Sequence, residues 1–131
     1  MERSDAAHDA PRSRRGLSAR GSALVCLADA RVELATMLIL QELGLSVDIM
    51  ADPKSAIRWA KQARYEIIVA GGAPIPLATL ALTLRRAAPE PRIVLLADEW
   101  SPADDLDTLR VEVLRPPLDV NALMRGLAPL E

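Results

Sequence analysis

Four consecutive apolar residues, Ile67-Ile68-Val69-Ala70, followed at once by Gly71-Gly72 and then by Pro74 and Pro76, constrain this chain more than any other stretch. A short run rich in β-branched side chains, with no polar alternation, reads as a strand buried on both faces. The glycine pair ends it, and the two prolines keep the chain from continuing as sheet. In an open α/β sheet, ligands bind at the ends of the central strands. That end here offers two glycines and an alanine, with no carboxylate, hydroxyl, thiol or imidazole.

The rest of the chain supplies the partners such a strand needs. Residues 23–28 read as a first strand, and Asp29 caps a helix over 30–43 that Gly44 terminates. A second strand follows over 46–50. Asp52-Pro53 opens a second helix to about Arg64, with Ala56, Ile57 and Ala60 inward and Lys54, Arg58 and Lys61 outward. After the 67–70 strand, a third helix over 77–87 places Leu77, Leu80, Ala81 and Leu84 on one face. Pro89 and Pro91 break it before a fourth strand over 92–97. A short acidic helix over 102–109, a fifth strand over 111–114 and a last helix capped by Asp119 complete the series. That helix is expected to pack through Val120, Leu123, Met124 and Leu127. Strands alternating with helices require right-handed crossovers, hence a flavodoxin-like, doubly wound, five-stranded parallel sheet with helices on both faces.

Composition narrows the function. At 131 residues the chain is one domain, residues 22–131, preceded by a polar tail over 1–21. Net charge is −2, so bulk attraction for nucleic acid or anionic lipid is missing. Aromatic residues are 2% and Phe is absent, so stacking platforms for single-stranded nucleic acid are lacking. Nucleic-acid contact is left to Arg12, Arg14 and Arg15 in the tail, diluted by Glu2, Asp5 and Asp9. Cys26, the one cysteine, sits between Val25 and Leu27 and reads as a core thiol, which excludes an internal disulfide and a cysteine zinc cluster. A reducing cytoplasm is the expected compartment. No apolar run approaches a membrane span. His8, the single histidine, lies in the tail, away from any cleft.

From about Ser22 onward the chain resembles the receiver domain of bacterial two-component response regulators. The spacing from Leu27-Ala28 through Gly44 and Asp52-Pro53 to Gly71 carries the resemblance, as does the Leu114-Arg115-Pro116-Pro117 turn before the last helix. The resemblance implies phosphoryl transfer from a kinase histidine to an aspartate at the end of the third strand, where this chain has Gly71. It implies two acids for Mg²⁺ at the end of the first strand, where Leu27 and Ala28 stand. Asp29 is adjacent but reads as a helix cap. The hydroxyl position of the fourth strand is Leu96, the lysine position of the fifth is Arg115, and the aromatic switch position is Glu112. Only a positive charge survives, in a different geometry. The intervals from Gly71 to Leu96 and from Leu96 to Arg115 are each about three residues shorter than the family pattern, which removes parts that move in phosphorylated relatives.

The expectation is a degenerate receiver: a phosphorylation-independent protein–protein interaction module of bacterial signalling or transcriptional control, with no enzymatic activity, metal or cofactor. Its expected partners are a histidine kinase, a regulator, an output domain or a second copy. The first helix is the expected interface, because its apolar residues surround the axis; Leu34, Leu38, Ile39 and Leu40 are the candidates, with Trp100, in the loop after the fourth strand, as an anchor. Trp59 is a weaker anchor. The alternative is a small-ligand or anion-binding domain using the cleft from Gly71 to Pro76, with Gly71, Gly72 and Arg115 as contacts.

Overall fold

The computed structural model describes residues 21–71, 75–98 and 107–128. Five strands, β1 (Gly21–Leu27), β2 (Leu45–Ile49), β3 (Ile67–Gly71), β4 (Arg92–Leu96) and β5 (Val111–Leu114), form one parallel sheet in the order β2-β1-β3-β4-β5. Four helices, α1 (Ala30–Glu42), α2 (Pro53–Gln62), α3 (Leu77–Ala87) and α4 (Val120–Leu127), cover it among the described residues, with a 3₁₀ turn at Asp107–Leu109 before β5. This is the flavodoxin-like doubly wound architecture expected from the alternation of elements.

Local chemistry sets the helix boundaries. The Asp29 carboxylate accepts from the Arg31 and Val32 amides at 2.9 and 3.3 Å, satisfying donors that the first turn of α1 cannot pair internally. Asp52 accepts from the Ser55 amide at 2.8 Å, and Asp119 accepts from the Ala122 amide at 2.8 Å. Gly44, at φ 91°, reverses the chain after α1 in a conformation side chains rarely adopt. At α3 no side chain caps the start; Pro76 precedes it and opens the turn by its fixed φ.

The sheet separates two aliphatic cores. Leu24, Ile68, Leu80, Leu84, Ile93 and Leu95 pack under α2 and α3. Val25, Val47, Val69, Val94, Leu123 and Leu127 pack under α1 and α4 with Leu40. Each fully buried large side chain contributes about 1.5–3 kcal/mol, so the absence of Phe costs no cohesion.

Several expectations require correction. Gly21 belongs to β1 and pairs with Leu45, so the tail expected over 1–21 overlaps the strand by its last residue. Leu40 is fully buried in the α1/α4 core and is no interface residue; its side chain points opposite to Leu38. Val120 and Met124 do not pack inward: they are 56% and 53% exposed. The cause is the seating of α4, whose Gly126 lies directly against Leu114 of β5, so that Leu123 and Leu127 alone face the sheet.

Two arginines hold the short connections. Arg85 donates to the carbonyls of Leu109, Ala88, Pro89, Pro91 and Arg110 at 2.8–3.3 Å, joining the end of α3 to the entries of β4 and β5. Burial, and secondarily the nearby Arg110 charge, depress the Arg85 pKa below its ordinary value. Arg110 itself adopts φ 57°, a left-handed turn immediately before β5.

Candidate functional site

The C-terminal edge of the sheet is a single row. Leu27 pairs with Gly71, Gly71 with Leu96, and Leu96 with Leu114, so the ends of β1, β3, β4 and β5 are in register. Arg115 follows Leu114 and is exposed. Two strand spacings separate its strand from β3, about 10 Å. The row therefore brings together Leu27, Gly71 and Leu96, with Ala28 exposed beside them. Gly72 and Trp100 lie outside the described residues, as do residues 73 and 74 of the cleft from Gly71 to Pro76.

Gly71 is fixed by packing as well as by chemistry. A Cβ added there would lie 2.4 Å from the Leu96 carbonyl oxygen and 3.2 Å from Leu96 Cβ. The obstruction is backbone of the neighbouring strand, which cannot swing aside as a side chain would. A side chain at this position would therefore require β4 to shift.

A Mg²⁺ ion requires carboxylate oxygens converging on one point. Leu27, Ala28 and Gly71 supply none, and the Asp29 carboxylate is engaged on the amides of its own helix. Among the described residues no group of three or more His, Cys, Asp or Glu side chains could hold a metal. These residues do not fit the ion that a receiver site would contain.

Glu112 of β5 is engaged in an ion pair. Its carboxylate takes a two-pronged ion pair from Arg92, Nε to Oε2 at 2.6 Å and Nη2 to Oε1 at 2.8 Å. The same guanidinium donates to the Gly126 and Ala128 carbonyls, both at 2.8 Å, at the C-terminal end of α4. One cation thus locks β4, β5 and the negative end of a helix dipole together.

Cys26 is 7% exposed, and burial, followed by the charges of Asp52 and Glu33, pushes its thiol up to about 11, so it stays protonated and unreactive at neutral pH. Trp59 is half-buried against the α2/α3 core. At the opposite, N-terminal edge of the sheet a groove of about 640 Å³ is lined by residues of both charges, including Lys61, Arg64, Glu66 and Glu90.

Sequence reasoning missed two features. Asp48 is fully buried on β2 and accepts from the Tyr65 hydroxyl at 2.9 Å, tying an outer strand to the turn before β3. A charged residue inside an apolar strand was the available signal; its partner, 17 positions away, was not. The Arg92–Glu112 clamp was equally hidden, because it spans two strands and a helix end.

On the outer surface, Leu34 and Leu38 of α1 are 54% and 51% exposed, while Ile39 is partly buried against the core. Together with Val120 and Met124 they are four of the five exposed large apolar residues found among the described residues, the fifth being Leu82 on α3. No described helix is long and apolar enough to cross a membrane.

No family model and no curated protein matches the sequence. Solved structures do match in shape. The chemotaxis response regulator CheY4 of Vibrio cholerae superposes with a TM-score of 0.66 at 20% identity, covering 82% of this chain and 95% of that one. The receiver domain of AraT, a response regulator from Geobacillus stearothermophilus, gives 0.67 at 21% identity over 80% and 88%. A response regulator receiver protein from Sinorhizobium medicae gives 0.64 at 20% identity over 86% and 94%. The chain has the fold of the response-regulator receiver domain.

Proposed function

We propose that this chain is a degenerate receiver, an interaction module of bacterial two-component signalling or transcriptional control that works without phosphorylation. The observation that carries the reading is Gly71: it ends β3 at the acceptor position, has no side chain to modify, and sits 2.4 Å (as a built Cβ) from backbone that would bar one. The neighbouring positions agree. Leu27 and Ala28 offer no metal ligand, Leu96 no hydroxyl, and Glu112 is held by Arg92. Among the described residues no nucleophile, acid or base converges at the strand ends, which supports a module that is not an enzyme and acts by contact in the cytoplasm.

Contact requires a surface, and the exposed apolar residues of α1 and α4 provide one: Leu34, Leu38, Val120 and Met124. A histidine kinase, a regulator, an output domain or a second copy is the class of partner. Incubation with acetyl phosphate and Mg²⁺, followed by intact-mass measurement, tests the reading. The mass is expected to be unchanged; a phosphoryl adduct that disappears with hydroxylamine, as an acyl phosphate does, overturns it.

A further inference from the structure

The outer face of α1 carries a pattern that reads the same in both directions. Leu34 and Leu38 lie one turn apart on the side opposite the buried Thr36 and Leu40. Arg31 and Glu42, both exposed, flank them at the two ends of the helix. At 100° per residue Arg31 and Glu42 fall about 20° apart, on the same side of the leucine pair. Arg31 lies about as far before the middle of that pair as Glu42 lies after it.

From this geometry we infer that α1 pairs with α1 of a second copy, antiparallel about a two-fold axis. This rests on the reading of the outer helices as the contact surface and names its occupant. Antiparallel alignment about the middle of the helix sets Leu34 of one protomer on Leu38 of the other, and Leu38 on Leu34. A two-fold axis normal to the plane of the paired helices keeps each flank on the same side. Arg31 of each protomer therefore meets Glu42 of its partner, twice. A self-complementary charge pattern of this kind suits an isologous contact; a different partner would need charges of its own arranged to match.

The second helix extends the surface in the required direction. α4 packs beside α1, and its Gly126 flank faces Leu114 at the β5 side. Val120 and Met124 lie on the flank of α4 away from Gly126 and are exposed, so they add apolar side chains on the side of the sheet that α1 also covers. A two-helix face from each protomer gives a four-helix layer, whereas the two leucines of α1 alone would make a small contact.

Sedimentation equilibrium of the full chain at submillimolar concentration is the test. The wild-type protein is expected to be a dimer. Leu34→Asp, at an exposed site, yields a folded monomer by circular dichroism, whereas Leu82→Asp on α3 leaves the dimer intact. Arg31→Glu and Glu42→Arg each raise the dissociation constant about tenfold or more, since both replace two attractive contacts by two repulsive ones. Mixing these two variants restores a heterodimer in which both charge pairs are opposite in sign, and the double variant restores the homodimer. A wild-type monomer, a dimer indifferent to Leu34→Asp, or swaps that mixing does not rescue would overturn the pairing. Each of those results leaves the acetyl phosphate measurement untouched, so failure of the pairing and failure of the degenerate-receiver reading are distinguished.

Discussion

Replacing Gly71 by alanine measures directly how tightly β4 packs against the end of β3. The added methyl would stand 2.4 Å from the Leu96 carbonyl oxygen, where ordinary contacts begin near 3.4 Å. β3 and β4 must therefore separate by about an ångström at their ends, or the last β3–β4 pairing must break. Overpacking of this kind costs about 1–3 kcal/mol, and a backbone wall places the cost toward the upper end. Against it stands a gain of about 0.4–1 kcal/mol from the reduced freedom of the unfolded chain. The net expectation is a loss of about 2 kcal/mol, which lowers Tm by roughly 8 °C in a domain of this size. Gly71→Asp costs more, because its charge enters the same buried place, and it confers no phosphorylation. Thermal and urea unfolding followed by circular dichroism provide the measurement, with the exposed Ala28→Asp as a control expected to stay within about 0.5 kcal/mol. A Gly71→Ala protein as stable as wild type would refute the claim that packing demands glycine there.

Three further outcomes follow from the polar network and the buried thiol. Arg85→Ala removes all five donations to carbonyls and is expected to destabilise by about 2–4 kcal/mol in urea unfolding, with Arg85→Lys recovering little because an ammonium cannot fork. A double-mutant cycle on Arg92 and Glu112 is expected to give a coupling of about 1–2 kcal/mol, above that of an exposed pair, since Arg92 is 17% and Glu112 37% exposed. Cys26 keeps its proton in the folded state up to about pH 11, while the unfolded thiol ionises near its ordinary value of about 8.5. Its contribution is therefore intact below that lower value and is lost as pH rises toward 11, so the stability of wild type relative to Cys26→Ala falls across this window.

Much of the fold is written in short-range signals. α3 spans Leu77–Ala87 and β5 Val111–Leu114 as expected, because proline, capping aspartate and apolar periodicity act within a few residues of themselves. The row Leu27–Gly71–Leu96 follows from strand lengths, which are local too. What was not legible depends on distant seating. Val120 and Met124 have the spacing of core residues, and only the contact of Gly126 with Leu114 turns them outward. Leu38 and Leu40 point opposite ways around α1, and only the seating on the sheet decides which of them is buried. Glu112 read as a degenerate switch position; its engagement by Arg92, 20 residues away, is a property of assembled strands.

The C-terminal edge of the sheet is held to be chemically blank, and backbone amide resonances report on it most directly. In a spectrum of the labelled protein titrated with Mg²⁺ and then with beryllofluoride, which mimics a phosphoryl group, the amides of Ala28, Gly71 and Ala97 are expected not to move beyond the drift caused by salt. Saturable shifts concentrated at those three residues would show a metal and phosphoryl site where the described residues offer no ligand for one, and would contradict the account.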